Sequence, residues 1–174
     1  LEIRLVTETE VEPYWSLRLR ALREEPEAFG LAYEEAIEWP KEKVIQQLHE
    51  LNSSPDSFIL GAFEDGLVGI VTMRRQQIIK FRHRAEINQM YVASEARGRG
   101  IGKALMRELI ERARNRPGLR HLDLSVTASN AAARQLYLSL GFETYGVDRQ
   151  GLKIGDQYFD MELMKLVLKT NEEG

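Results

Sequence analysis

The stretch Met90-Tyr91-Val92-Ala93-Ser94-Glu95-Ala96-Arg97-Gly98-Arg99-Gly100-Ile101-Gly102-Lys103 decides how this chain is read. It leaves a β-rich run, passes three glycines at alternate positions, and enters residues 101–116, where Leu105, Leu109 and Ala113 recur at helical spacing. A strand that turns through glycines straight into a helix brings backbone close to whatever binds there. The helix start adds unpaired N–H groups at the positive end of its dipole. Arg97, Arg99 and Lys103 contribute positive charge. The stretch therefore predicts an anion site suited to a pyrophosphate.

Two common phosphate signatures do not fit it. A nucleotide P-loop needs G-x-x-x-x-G-K-[ST], but Arg97 stands at its first glycine and Ala104 follows Lys103. A dinucleotide fingerprint, G-x-G-x-x-G, would need a third glycine where Lys103 stands.

The elements on either side follow from periodicity. Residues 85–92 form a strand, preceded by a hairpin of residues 57–64 and 67–75 around Asp65-Gly66, a pair suited to a type I′ turn with positive φ. Before it, residues 3–6 read as a strand. Val11, Trp15, Leu19 and Leu22 form a helical stripe capped by Thr7 or Thr9, and residues 24–38 read as loop. Pro40 opens a second helix with Val44, Leu48 and Leu51 on one face. After the central helix, stopped by Pro117-Gly118, Leu122, Leu124 and Val126 alternate as a strand. Asn130 caps a short helix carrying Ala133, Leu136 and Leu140, and Gly141 gives a left-handed exit. Closing strands near 142–153 and 157–168 turn at Gly155-Asp156. The expected fold class is α/β, in the order β-α-α-β-β-β-α-β-α-β-β: one mixed sheet with helices on its faces. A single domain over 1–174, with its core at 3–168, accounts for the length.

Composition narrows the function classes. The 174 residues include 24 Lys+Arg, 27 Asp+Glu and no cysteine, with a formal net charge of −3. The lack of Cys excludes disulfides, Cys-ligated metals and a cysteine nucleophile, and it fits a reducing compartment. The acidic balance argues against a nucleic-acid partner. No apolar run approaches the ~18–20 residues of a membrane span, and residues 1–6 lack a signal-peptide core. A cytoplasmic protein with neither membrane nor nucleic-acid partner is expected.

The spacing Arg97-x-x-Gly100-x-Gly102 resembles the coenzyme A loop of the GNAT superfamily of N-acetyltransferases. Leu124-Ser125-Val126, Asn130, Ala133, Leu136-Tyr137 and Gly141-Phe142 resemble a second signature of that family. The likeness runs from Ile3 to Leu168 and is specific between Tyr91 and Phe142. It implies a GNAT-type acyl-CoA N-acyltransferase fold and acetyl-CoA as co-substrate without a metal. The reaction implied is direct attack by a primary amine in a ternary complex. An acyl-CoA-binding module without catalysis, or transfer of another acyl group such as succinyl, is the alternative.

The resemblance also assigns roles. Met90, Tyr91 and Val92 would hold the pantetheine arm through backbone bonds, one N–H polarising the thioester carbonyl. Arg97, Gly98, Arg99, Gly100, Ile101, Gly102 and Lys103 would hold the pyrophosphate. Asn130 and Ala133 would lie near the arm, Asn130 being equally readable as a plain helix cap. Tyr137 would protonate the departing thiolate, or simply pack. Glu86 stands where histone-type members carry their base; many small-molecule members place an acid at the position of Asn88, which cannot be one, so the base stays open between Glu86, through water, and a residue of the N-terminal half. A base matters because a lysine-like amine is neutral less than about one part in a thousand at pH 7, a cost near 4–5 kcal/mol. Phe29 and Tyr33, beside Glu34, Glu35 and Glu38, fall where the family builds acceptor pockets, and read otherwise as core anchors. The run Arg74, Arg75, Lys80, Arg82, His83 and Arg84 suits either an acidic acceptor or 3′-phosphate, or a solvated edge. An exposed closing strand makes a homodimer the expected assembly.

Overall fold

The computed structural model describes residues 1–169, so the end of the expected 1–174 domain, residues 170–174, lies outside the described residues. Seven strands form one sheet: β1 (Glu2–Leu5), β2 (Ser57–Phe63), β3 (Leu67–Arg75), β4 (Arg84–Val92), β5 (His121–Thr127), β6 (Glu143–Ile154) and β7 (Gln157–Val167). Their spatial order is β1-β2-β3-β4-β5-β7-β6. Among the described residues only β4 and β5 are parallel, joined by a helix; each other neighbouring pair is antiparallel. The helices are α1 (Val11–Glu24), α2 (Tyr33–Ala36), α3 (Lys41–Asn52), α4 (Ile101–Arg114) and α5 (Ala131–Ser139). The expected order holds, and the segment read as loop also contains α2 and a 3-10 turn at Pro26–Ala28.

β2 and β3 are buried at successive residues, so both faces of the sheet are covered there. Helix α4 packs on one face with Leu105, Met106 and Leu109 closed off from solvent; α1 and α3 pack against each other and against the same strands. Each fully buried leucine of this kind contributes about 1.5–3 kcal/mol. Val44, Leu48 and Leu51 of α3 are buried as their spacing predicts.

Two local expectations are corrected. The buried stripe of α1 is Val11, Tyr14, Leu17, Arg18, Ala21 and Leu22, while Trp15 and Leu19 are only partly buried. Trp15 instead stacks on Trp39, with ring centroids 5.4 Å apart, so the bulkiest residue of α1 is satisfied at the edge of the core. The β2–β3 turn is not type I′, since neither Asp65 nor Gly66 has positive φ. Glu64 N–H donates to Gly66 O at 3.0 Å, and a register shift at Ala62/Phe63 absorbs the extra residue.

The feature that positions the site is a split in the sheet. β4 and β5 pair only through Arg84↔His121, Ala85↔Leu122 and Glu86↔Asp123, and then part. At the paired end the buried Asp123 carboxylate meets Arg84 Nε at 3.0 Å and Lys165 Nζ at 3.5 Å. Further along, β4 changes register against β3 between Ile70 and Thr72, and Gln89 takes φ 56°. A left-handed backbone at a residue with a Cβ costs about 1–2 kcal/mol. Gln89 Oε1 offsets this by accepting from Tyr14 Oη at 2.9 Å and Thr72 Oγ1 at 3.3 Å. The bulge turns β4 away from β5.

Candidate active site

Where β4 and β5 part, a cleft of about 840 Å³ opens. Residues 87–92 of β4 and 124–127 of β5 form its walls; the glycine loop, α5 and part of β6 and β7 complete it. Among the described residues, the edge of β4 from Met90 to Val92 that faces β5 has no strand partner. This edge can take an extended ligand carrying amides of its own.

The glycine loop stands at the open end. Its three glycines serve different purposes. Gly98 and Gly100 have φ 75° and 78°, which a side chain would strain. Gly102 sits inside α4, where an added Cβ would come within 3.0 Å of Met90 Cε, so it allows the helix to approach β4. The first bond into α4 is Ala104 N–H to Gly100 O, at 3.0 Å. Among the described residues, no backbone carbonyl accepts from the N–H groups at 98–103. A row of free donors at a helix start is an anion cradle.

The three cations of the loop divide. Arg97 reaches back, with Nε on Val92 O at 2.9 Å and Nη2 on Glu25 at 2.6 Å. Arg99 pairs with Glu64 at 2.9 Å and does not line the cleft. Lys103 lines the cleft and has no ion pair among the described residues.

Asn130 caps α5 by accepting from Ala133 N–H at 3.1 Å through Oδ1, and it lines the cleft, so both readings of this residue are compatible. Tyr137 lines the cleft too, only 6% exposed, with its ring edge-on to Phe142 at 5.9 Å. Among the described residues its hydroxyl has no hydrogen-bond partner. Burial pushes this phenol well above its ordinary 10, so it stays protonated at neutral pH. Tyr91 behaves differently: it donates to Glu24 Oε2 at 2.6 Å, and burial together with that carboxylate raises it to about 12.

The remaining residues singled out by sequence are spread. Asn88 and Phe29 line the cleft, whereas Tyr33 packs against the core and stays outside it. Glu35 accepts from Ala32 N–H at 3.3 Å, an anchoring role. Glu86 lies two residues before Asn88 on the exposed face of β4, outside the cleft lining, where it accepts from Gln76 Nε2 at 3.1 Å. The basic run splits as well. Arg75 is bound by Asp56, Arg82 O and Pro117 O, and Arg84 by Asp123, while Arg74 alone of the run lines the cleft.

Sequence reasoning missed Arg18. It is 5% exposed, lines the cleft, and lies with its guanidinium carbon 4.6 Å from the centroid of the Phe29 ring. Its signal was present: Arg18 lies four residues after Tyr14 and four before Leu22, in the middle of an apolar face.

A split parallel pair, a glycine loop with free amides and a buried phenol are the arrangement expected of an acyl-coenzyme A transferase. Residues 17–142 match the model of the acetyltransferase (GNAT) family, and the chain belongs to that family. An uncharacterised N-acetyltransferase of Methanocaldococcus jannaschii is 31% identical over 156 residues, covering 87% of this chain and 65% of its own length. The crystal structure of a ribosomal-protein-alanine N-acetyltransferase from Brucella melitensis is 30% identical, with TM-score 0.84, covering 97% of this chain and 100% of that one. An acetyltransferase from Salmonella typhimurium, described with its cofactor acetyl-CoA, shares the fold at TM-score 0.83 and 21% identity, over 98% and 95% of the two chains.

Proposed function

We propose that the chain transfers acetyl from acetyl-CoA to a primary amine by direct attack in a ternary complex, within a single domain. The observation that carries this is the unpaired edge of β4 leading straight into the free amides at 98–103. The residues present fit coenzyme A: Gly98 and Gly100 keep the loop open, the N–H row and Lys103 receive phosphate, and Gly102 lets α4 close against β4. Met90, Tyr91 and Val92 hold the pantetheine arm, with Asn130 and Ala133 beside it. When bound, acetyl-CoA supplies a thioester whose C–S bond breaks as the amine nitrogen bonds the acetyl carbon.

The chain's own residues handle charge and protons. A backbone N–H of the unpaired β4 edge would donate to the thioester carbonyl of bound acetyl-CoA and stabilise negative charge there. Tyr137 gives its proton to the leaving sulfur, a role supported by its position in the cleft lining with an unpartnered hydroxyl. Glu86 takes the amine proton through water, since it stands back from the cleft lining. Phe29 lies at the acceptor end.

Two finer parts of this reading rest on other features. A homodimer is supported by the outer hairpin, where Tyr145, Val147 and Tyr158 are about half exposed and β6 is an edge strand. A cytoplasmic location is supported by the cysteine-free composition.

Calorimetric titration with acetyl-CoA, coenzyme A and ATP tests the cofactor. Binding of the first two and not of ATP is expected, and release of free thiol in the presence of amines then reports transfer. No heat with either coenzyme A species overturns the reading.

A further inference from the structure

Six charged residues line the cleft, and they do not cancel. Arg97 and Glu25 satisfy each other at 2.6 Å, and Lys103 belongs to the glycine loop. Arg18, Arg74 and Asp148 remain, none with an ion pair or side-chain hydrogen bond among the described residues. Arg18 is the telling one. Its Nη1 is shut off from solvent without an acceptor, although the residue lines an open cleft. An arginine keeps its charge even where burial lowers its pKa, as it does here. A buried, unpaired guanidinium is costly, and the Phe29 ring face compensates only part of that cost.

Arg74 is its companion. Both arginines line the same cleft, Arg18 from α1 and Arg74 from β3. Arg74 opposes Glu86 across β3 and β4, and Glu86 opposes Asp123 across β4 and β5, at the paired end of the split. The glycine loop follows the other end of β4, so the phosphates held there do not claim these two guanidiniums. Glu86 forms no ion pair with Arg74 among the described residues, its carboxylate accepting from Gln76 Nε2.

We propose that the acceptor is a free amino carboxylate, such as an unblocked α-amino acid, whose carboxylate is held by Arg18 and Arg74. This rests on the transferase reading above and names its substrate class. Planar guanidinium forks match a carboxylate in two parallel hydrogen bonds, and two forks converging on one anion give a deep preference for it. Asp148, across the split on β6, supplies the opposite charge for the amine end, so the cleft complements a zwitterion. A polyamine or an amino-acid amide brings nothing to neutralise Arg18, and a peptide places an amide where the carboxylate would be.

The test compares each L-amino acid with its own amide, alongside spermidine and an alanine-starting peptide, by thiol release from acetyl-CoA. Wild-type kcat/KM for the best acid should exceed that for its amide by at least ~100-fold. Arg18→Met should bring that ratio to about one while calorimetric acetyl-CoA affinity stays within ~3-fold and the melting temperature does not fall. Arg74→Gln should raise the amino-acid KM by about 10-fold with kcat changing less. Amides, spermidine or peptide used as well as the acids overturn the proposal, and so does a ratio that survives Arg18→Met. Should Arg18→Met fold poorly, Arg18→Lys keeps charge without the fork, and an unchanged acid-to-amide ratio there is equally fatal. Loss of acetyl-CoA binding by the wild type would instead sink the transferase reading itself.

Discussion

The Tyr14 hydroxyl donates to Gln89 Oε1 at 2.9 Å, so a buried phenol on α1 holds the left-handed residue of β4 in place. This contact links helix packing to the bend that opens the cleft. Tyr14→Phe should therefore cost about 1 kcal/mol, the net worth of a typical buried hydrogen bond. For a chain of this size that is roughly 2–4 °C in Tm, readable by thermal unfolding. An unchanged Tm would mean Thr72 alone holds the bulge.

Gly100 has φ 78°, while Gly66, in the β2–β3 turn, has ordinary φ and open space around it. Gly100→Glu should weaken acetyl-CoA binding by at least ~100-fold, since it strains the loop and puts an anion beside the phosphates. Gly66→Glu should leave affinity and Tm as they are. Calorimetry on both variants separates loop chemistry from a general effect of added charge.

Tyr137→Phe should lower kcat by about 100-fold and leave the acetyl-CoA KM nearly unchanged, because the hydroxyl has no partner to lose in the resting cleft. Burial raises its pKa, so kcat should not fall with rising pH through loss of this proton below about pH 10. Steady-state pH profiles of both forms check the two statements.

His121, at the closed end of the split, is 3.2 Å from Asp123 Oδ2 but outside hydrogen-bonding geometry. Burial lowers its pKa below the ordinary 6.5, more than Asp123 raises it. The unfolded chain then binds a proton before the folded one, so this residue withdraws stability as pH falls below 6.5, until the folded pKa is passed. His121→Gln should flatten that limb of the stability–pH curve in urea melts, and an equal slope in both proteins would remove His121 from it.

The fold was legible where its causes are local. The glycine loop, the Asn130 cap and the exit at Gly141 (φ 93°) each depend on a few adjacent residues, and each stands where sequence put it. What stayed hidden depends on distant partners. Gln89 gives no sign of left-handed backbone, because the Tyr14 that compensates it is 75 residues away. The α1 stripe was read from bulk, and Trp15 outweighed the smaller Ala21, although Trp39 had a place for it. Arg18 was passed over because a cation on a helix is by default assigned to water. Glu86 could be placed on its strand but not relative to the cleft, which exists only once β4 and β5 part, and Tyr33, in a stretch that reads as loop, opens α2 outside it.

The three-residue pairing of β4 and β5 also has a bearing on handling the protein. Sheet edges normally lie at the rim of a domain, where lysines or short strands guard them. Here an edge is exposed inside the sheet, and nothing in its sequence from Met90 to Val92 carries a charge. With its ligand absent, that edge is a docking strip for any extended chain, including another copy's unfolded segment. Concentrated samples should accordingly cloud sooner on warming without coenzyme A than with it, and light scattering would show the difference before any assay of transfer.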